Sequence, residues 1–276
     1  ILFSDILTIP DALNLGLDFH EGEGPKFSNP ISSADDINNL NAFDVNSLDY
    51  VFKAVEETKN LIPTTLPLIG FCGSPWTLAA YSIEGGGSKD FQKTKTFMAE
   101  NPNALHDFLE ILSDACYQYL KQQVLSGINA IQIFDSWADL LSEDELDLFS
   151  LSYTKKITQK LKNDPITKHI PIILFEKNPN KDITDLIFKD LSCISLYWNS
   201  DIRILSESLK NDIAIQGNLD PKVLGKSDET IQEEVRKICS IMKGYPGFIF
   251  NLGHGITPDI EPAKVEVMIK TIREDI

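Results

Sequence analysis

Short apolar, β-prone runs alternate with helix-patterned stretches along the whole chain, and this alternation is what most restricts its fold. The runs are Ile1–Phe3, Leu66–Phe71, Ala130–Phe134, Ile172–Phe175, Cys193–Tyr197, Ile213–Gln216 and Phe248–Asn251. Strands that alternate with helices imply a parallel sheet covered by helices. Right-handed crossovers leave two main arrangements, an open doubly wound sheet or a closed barrel. Seven runs are visible, whereas a (β/α)8 TIM barrel has eight strands and typically spans about 250 residues. The chain opens on apolar residues, so the first strand–helix unit is expected to be missing before Ile1. No low-complexity linker interrupts the chain, and residues 1–276 are expected to form a single barrel domain, truncated at its N-terminus. The stretch Gly16–Asn60, with Gly22, Gly24, Pro25 and Pro30, reads as a loop-rich excursion.

The helical stretches are well marked. Leu105, Phe108, Leu109, Leu112, Ala115, Cys116, Tyr119 and Leu120 recur at helical spacing. Asn101 is a good N-cap there, and Pro102 suits the first helical position, where a missing N–H does no harm. Ser142 and Glu145 have the spacing of a capping box. Gly244 followed by Pro246 predicts a helix stop.

Composition excludes several classes. Lys plus Arg number 25 against 41 Asp plus Glu, a formal charge of −16 with only three arginines. Phosphate contacts need clustered cations, so nucleic acid is not an expected partner. No apolar run approaches the roughly 20 residues of a membrane span, and the first residues carry no signal-peptide pattern. Cys72, Cys116, Cys193 and Cys239 are scattered without C-x-x-C spacing. They are expected as reduced, mostly buried thiols in a cytoplasmic protein. His and Cys at zinc-ligand spacing are not visible, so no metal site is expected.

In parallel barrels the chemistry sits at the C-terminal ends of strands. Polar or aromatic groups follow every run: Asp5, Gly73-Ser74-Pro75-Trp76 leading to Tyr81, Asp135-Ser136, Glu176-Lys177, Trp198, Asn218-Leu219-Asp220 and His254. They are expected to converge on one cavity, which supports an enzyme, although strand ends always need turn residues. Asp5 could equally cap the next helix. His254 stands between Gly253 and Gly255, where the backbone can approach a ligand closely. His20, His106 and His169 read as surface or structural. Gly85-Gly86-Gly87 lacks the Lys-Ser/Thr of a phosphate loop and reads as a flexible loop.

Taken in order, these motifs resemble the uroporphyrinogen decarboxylase family. The matching pieces are Phe3-Ser4-Asp5-Ile6-Leu7, Glu21-Gly22-Glu23-Gly24-Pro25, Pro75-Trp76-Thr77-Leu78, Tyr81, Glu84-Gly85-Gly86-Gly87-Ser88, Gln216-Gly217-Asn218-Leu219-Asp220-Pro221 and Asn251-Leu252-Gly253-His254-Gly255. The resemblance implies a (β/α)8 barrel, commonly a homodimer, that uses no metal or organic cofactor. It implies removal of CO2 from the four acetate arms of uroporphyrinogen III, giving coproporphyrinogen III for haem synthesis. Carried over by motif, Asp5 would face the centre of the tetrapyrrole, and Tyr81, Ser136 and His254 would line the substrate pocket. Asp5, Tyr81 and His254 would be the catalytic groups.

Two departures stand out. The family's Arg-Gln-Ala-Gly-Arg motif, which supplies cations for substrate carboxylates, has no counterpart in this chain and would lie before Ile1. The family's Asp before Trp198 is replaced by Tyr197. Among the residues present, Lys177 is the best candidate for a cation facing the substrate. A barrel methyltransferase that holds zinc through His and Cys is one rival reading. A catalytically dead relative kept as a binding partner is another.

Overall fold

The computed structural model describes residues 1–2, 5–20, 24–177, 182–209 and 213–275. The chain divides into two compact parts, Ile1–Ile172 and Ile173–Ile276.

In the first part, the expected opening strand does not form over Ile1 and Leu2, which carry no regular structure, and Phe3 lies outside the described residues. The excursion that follows holds a short antiparallel hairpin that its sequence does not announce, β1 (Leu17–His20) with β2 (Gly24–Phe27). Contacts distant in sequence hold it. The Phe27 N–H donates to Gly85 O at 3.0 Å, and Lys26 bridges Gly86. The triple glycine is therefore a paired segment, with Gly85 at φ +87° closing the preceding helix as its C-cap.

Strands β3 (Ile69–Gly73) and β4 (Ala130–Asp135) run parallel, with Phe71 opposite Gln132. The third strand starts later than the apolar run suggests because Pro67 has no N–H to give to a ladder. Helices Pro75–Glu84, Gln92–Glu100 and Pro102–Leu125 connect the pair. Every residue of the expected Leu105–Leu120 stripe is buried. Burial of each Leu there contributes roughly 1.5–3 kcal/mol. Pro102 takes the first helical position as expected, while the Asn101 side chain makes no capping bond. The Ser142–Glu145 capping box forms in full.

Near the end of the long helix, the Gln123 amide clasps β3. Its Nε2 donates to Phe71 O at 2.9 Å, and the Phe71 N–H donates to its Oε1 at 3.0 Å. Gly70 is small for this reason: a Cβ there would overlap Gln123 Oε1 and lie 2.5 Å from Ile128 Cδ1.

In the second part, β5 (Ile172–Glu176), β6 (Cys193–Ser195), β7 (Ala214–Leu219) and β8 (Phe248–Leu252) are parallel neighbours in chain order. Leu174 stands opposite Ile194, Ile194 opposite Ile215, and Ile215 opposite Phe248. Residues Ile172–Phe175 are all apolar and buried, as expected of a parallel strand covered on both faces. Helix Asp228–Ile241 ends before Gly244, which takes φ +85° in the expected stop. Among the described residues no helix is long and apolar enough to cross a membrane. All four cysteines are free and buried.

Candidate active site

The first part carries Asp5, Tyr81 and Ser136. Asp5 is half-buried, and its Oδ1 accepts the Leu7 N–H at 2.8 Å while its carbonyl accepts the Thr8 hydroxyl at 3.0 Å. The carboxylate therefore closes the turn that leads into helix Thr8–Pro10, while the N-cap of that helix is Leu7, with no side-chain capping bond. Burial pushes its pKa above the ordinary carboxylate value, and the Leu7 hydrogen bond pulls it part of the way back. Its charge also reaches Tyr81 and Tyr50, helping to raise both phenols. Asp5 and Tyr81 are thus brought within electrostatic range of each other.

Tyr81 stands on helix Pro75–Glu84, whose start is fixed by the Ser74 hydroxyl accepting the Thr77 N–H at 3.0 Å. Its half-buried ring meets Phe91 edge-on at 6.1 Å and Trp137 at 5.8 Å, and Phe91 and Trp137 lie 4.5 Å apart. Burial raises the phenol pKa, and the adjacent Trp137 side chain tempers the rise. Ser136 is the first residue beyond β4 and is half-buried. Among the described residues its hydroxyl makes no hydrogen bond, so it can offer one to a ligand.

The second part carries His254. It is exposed just past β8, with its ring edge-on to Tyr197 at 5.8 Å and Phe175 at 6.3 Å. Because β5 to β8 are parallel, Lys177, Tyr197, Trp198, Lys222 and His254 all follow strand ends on the same edge of this sheet. Lys177 Nζ lies 5.9 Å from the Tyr197 ring centroid, and Lys222 Nζ lies 5.9 Å from that of Trp198. The Asn218 amide fixes the intervening loop, donating to Tyr197 O at 3.0 Å and Ser200 O at 2.8 Å. This edge combines aromatic faces with cations, which suits an anionic ring compound.

The other histidines stand apart from these groups. His106 is structural: its Nδ1 lies 2.6 Å from the Tyr153 hydroxyl and its ring stacks on Phe149. His169 is exposed before β5. The side chain of His20 and the tip Glu21-Gly22-Glu23 lie outside the described residues. Among the described residues, no group of three or more His, Cys, Asp or Glu is arranged to hold a metal ion.

Sequence reasoning missed the aromatic neighbours of Tyr81, Phe91 and Trp137, and the cation Lys222. The nearest available signal was Trp137 itself, two residues beyond a strand end.

The family described as Uroporphyrinogen decarboxylase (URO-D) matches residues 1–275. A uroporphyrinogen decarboxylase of Vesicomyosocius okutanii subsp. Calyptogena okutanii is 46% identical over 272 residues, covering 99% of this chain and 78% of the relative. One from Ruthia magnifica subsp. Calyptogena magnifica is 45% identical over 275 residues, covering 99% and 79%. Among solved structures, a methyltransferase from Methanosarcina mazei is similar in fold, with a TM-score of 0.72 at 16% identity over 99% of this chain and 79% of that one.

Proposed function

The chain belongs to the uroporphyrinogen decarboxylase family, and from that premise we propose that it decarboxylates the four acetate arms of uroporphyrinogen III to coproporphyrinogen III. It is a carboxy-lyase of porphyrin and haem biosynthesis, with the (β/α)8-barrel fold class of that family. We read residues 1–276 as one catalytic domain.

The observation that carries the reading is the half-buried Asp5 carboxylate with the Tyr81 phenol in its field. A porphyrinogen can turn its four pyrrole N–H groups to one side. A carboxylate, with two oxygens and several lone pairs, can gather them. Protonation of a pyrrole carbon makes the ring cationic, and the electrons released with CO2 flow into that cation. The substrate is its own electron sink, so the reaction is read as cofactor-independent. A fixed anion beside the ring stabilises the cation as it forms, most effectively in a site that excludes water.

Tyr81 and Ser136 supply hydroxyl donors for a carboxylate arm. His254, when protonated, pairs with an arm or relays a proton near neutral pH. Lys177 and Lys222 supply local positive charge in a chain of net charge −16, whose exposed charges are screened over about 8 Å at physiological salt. A cytoplasmic setting fits the four free, buried thiols. The homodimer rests on the family resemblance alone.

Asp5→Asn is the direct test. It keeps the shape and removes the charge, so turnover of uroporphyrinogen, followed as the series of partly decarboxylated products, should fall at least about a hundredfold. Near-normal turnover would remove Asp5 from the mechanism.

A further inference from the structure

Asp135 at the end of β4 has no exposure to solvent, yet no cation neutralises it in the contacts it makes. Hydroxyls surround it instead. Thr77 Oγ1 donates to Oδ1 at 2.7 Å, Ser150 Oγ donates to Oδ2, and the Ser74 hydroxyl also faces the carboxyl. The charge that reaches it is that of Asp139, which is repulsive. Burying a carboxylate is costly, so this arrangement persists only because the donors are fixed around it.

The contacts continue outward from there. While donating to Asp135, the Thr77 hydroxyl accepts the Trp137 backbone N–H at 3.3 Å. The Trp137 carbonyl accepts the Trp76 indole N–H at 2.9 Å. The Ser74 N–H donates to Phe134 O at 2.8 Å, tying the start of the helix to the same strand. Trp137 then packs edge-on against Tyr81. Ser136 lies between two anchored residues, Asp135 and Trp137.

We infer that Asp135 is a positioning residue for the decarboxylation: acting through Thr77, it locks Trp137 and the strand end so that the Tyr81 and Ser136 hydroxyls face the substrate. The inference rests on the reading of Tyr81 and Ser136 as substrate-facing groups. The spacing also explains why a carboxylate serves here. Two donors approach from different elements, one from helix Pro75–Glu84 and one from the segment before helix Ser152–Asn163. Only a group with two acceptor oxygens satisfies both without adding a donor of its own.

Three variants test it. Thr77→Val keeps the volume and removes the relay, Thr77→Ser keeps the hydroxyl, and Asp135→Asn keeps the shape but turns one acceptor into a donor. Thr77→Val and Asp135→Asn should each lose at least about tenfold in kcat with little change in KM, whereas Thr77→Ser should stay within about threefold of the unaltered protein. The second readout is the Tyr81 phenolate titration, taken as the ultraviolet difference against the same protein carrying Tyr81→Phe. It should shift in Thr77→Val, as Trp137 moves against the Tyr81 ring, and stay in place in Thr77→Ser.

An unmoved titration in both Thr77→Val and Asp135→Asn would overturn the proposal. So would equal losses in Thr77→Val and Thr77→Ser, which would leave packing alone. If the unaltered chain fails to turn over uroporphyrinogen, the functional reading falls, and the titration then decides only whether Asp135 and Thr77 hold Trp137 against Tyr81.

Discussion

Trp198 lies so close over Gly253 that a Cβ at position 253 would overlap the Trp198 backbone nitrogen and come within 2.5 Å of its Cα. The Gly253 N–H also donates to Leu219 O at 2.8 Å, so this glycine cannot retreat without breaking the β7–β8 register. An exposed tryptophan and the candidate catalytic His254 are thus set by one backbone contact.

Gly253→Ala should therefore destabilise the protein by about 1–3 kcal/mol, because the clash is with backbone and not with a movable side chain. Activity should fall with it, since His254 is the next residue. Gly255→Ala has nothing within 4 Å of the added Cβ and should stay within about 0.5 kcal/mol. Thermal unfolding of both variants makes the comparison. Equal stability would mean that Trp198 and Gly253 are not in tight contact.

Much of the fold is legible in the sequence, for identifiable reasons. Six of the seven apolar runs form parallel strands. Strands β3 to β7 are largely buried, and a strand buried on both faces writes itself as a continuous apolar run, whereas in β8 half-buried and exposed residues alternate. The β1–β2 hairpin is not legible. Its four-residue strands lack a clear alternation, and pairing with Gly85 and Gly86 holds it in place. Asp5, Tyr81, Ser136 and His254 can be named from motifs, but their neighbours cannot. Thr77 meets Asp135 across 58 positions of chain, and no local pattern encodes that distance. The triple glycine reads as a free loop because its composition suits one, whereas its pairing with the hairpin is a tertiary fact.

The pH dependence of turnover should report Asp5. Burial holds its folded pKa above 3.8, so the protonated form persists to higher pH than in an ordinary carboxyl. Only the anion can gather pyrrole N–H groups, so kcat/KM should rise with pH through an acid limb lying above 3.8. In Asp5→Asn that limb should vanish along with most of the rate. A variant that keeps the same limb would assign it to another group.

Lys177 should act on binding more than on chemistry. Its Nζ sits beside the Tyr197 ring, which also meets His254, so the ammonium stands at the same strand-end edge. Lys177→Met should raise KM about three- to tenfold at low salt and leave kcat nearly unchanged. The difference should shrink as salt is added, because the lost interaction is between charges. Lys222→Met should do the same to a smaller extent, since Lys222 is exposed. Salt-independent effects would point to packing.

The Gln123 clasp should be costly to remove. Gln123→Leu leaves both the N–H and the C=O of Phe71 without the partners that now lie at 3.0 and 2.9 Å. Each buried group left unpaired costs about 1–3 kcal/mol, so a loss of roughly 2–6 kcal/mol is expected in denaturant unfolding. Gln123→Glu should be intermediate, because it keeps the acceptor and loses the donor.

Acid should loosen the clasp between helices Pro102–Leu125 and Ser152–Asn163. Asp164, the C-cap of the second helix, accepts the Tyr117 hydroxyl at 2.6 Å and pairs with Lys121 at 2.7 Å. These partners hold its pKa at about 2, below the ordinary 3.8. A carboxyl depressed on folding stabilises the fold above its unfolded pKa, and that stability fades as pH falls through the folded value. The contribution should therefore be complete above about pH 4 and lost towards pH 2. Asp164→Asn should lower stability at neutral pH and flatten the acid dependence across that window. Unfolding midpoints measured from about pH 7 down to about pH 2 test this: parallel curves for the two proteins would mean that Asp164 contributes nothing through its charge.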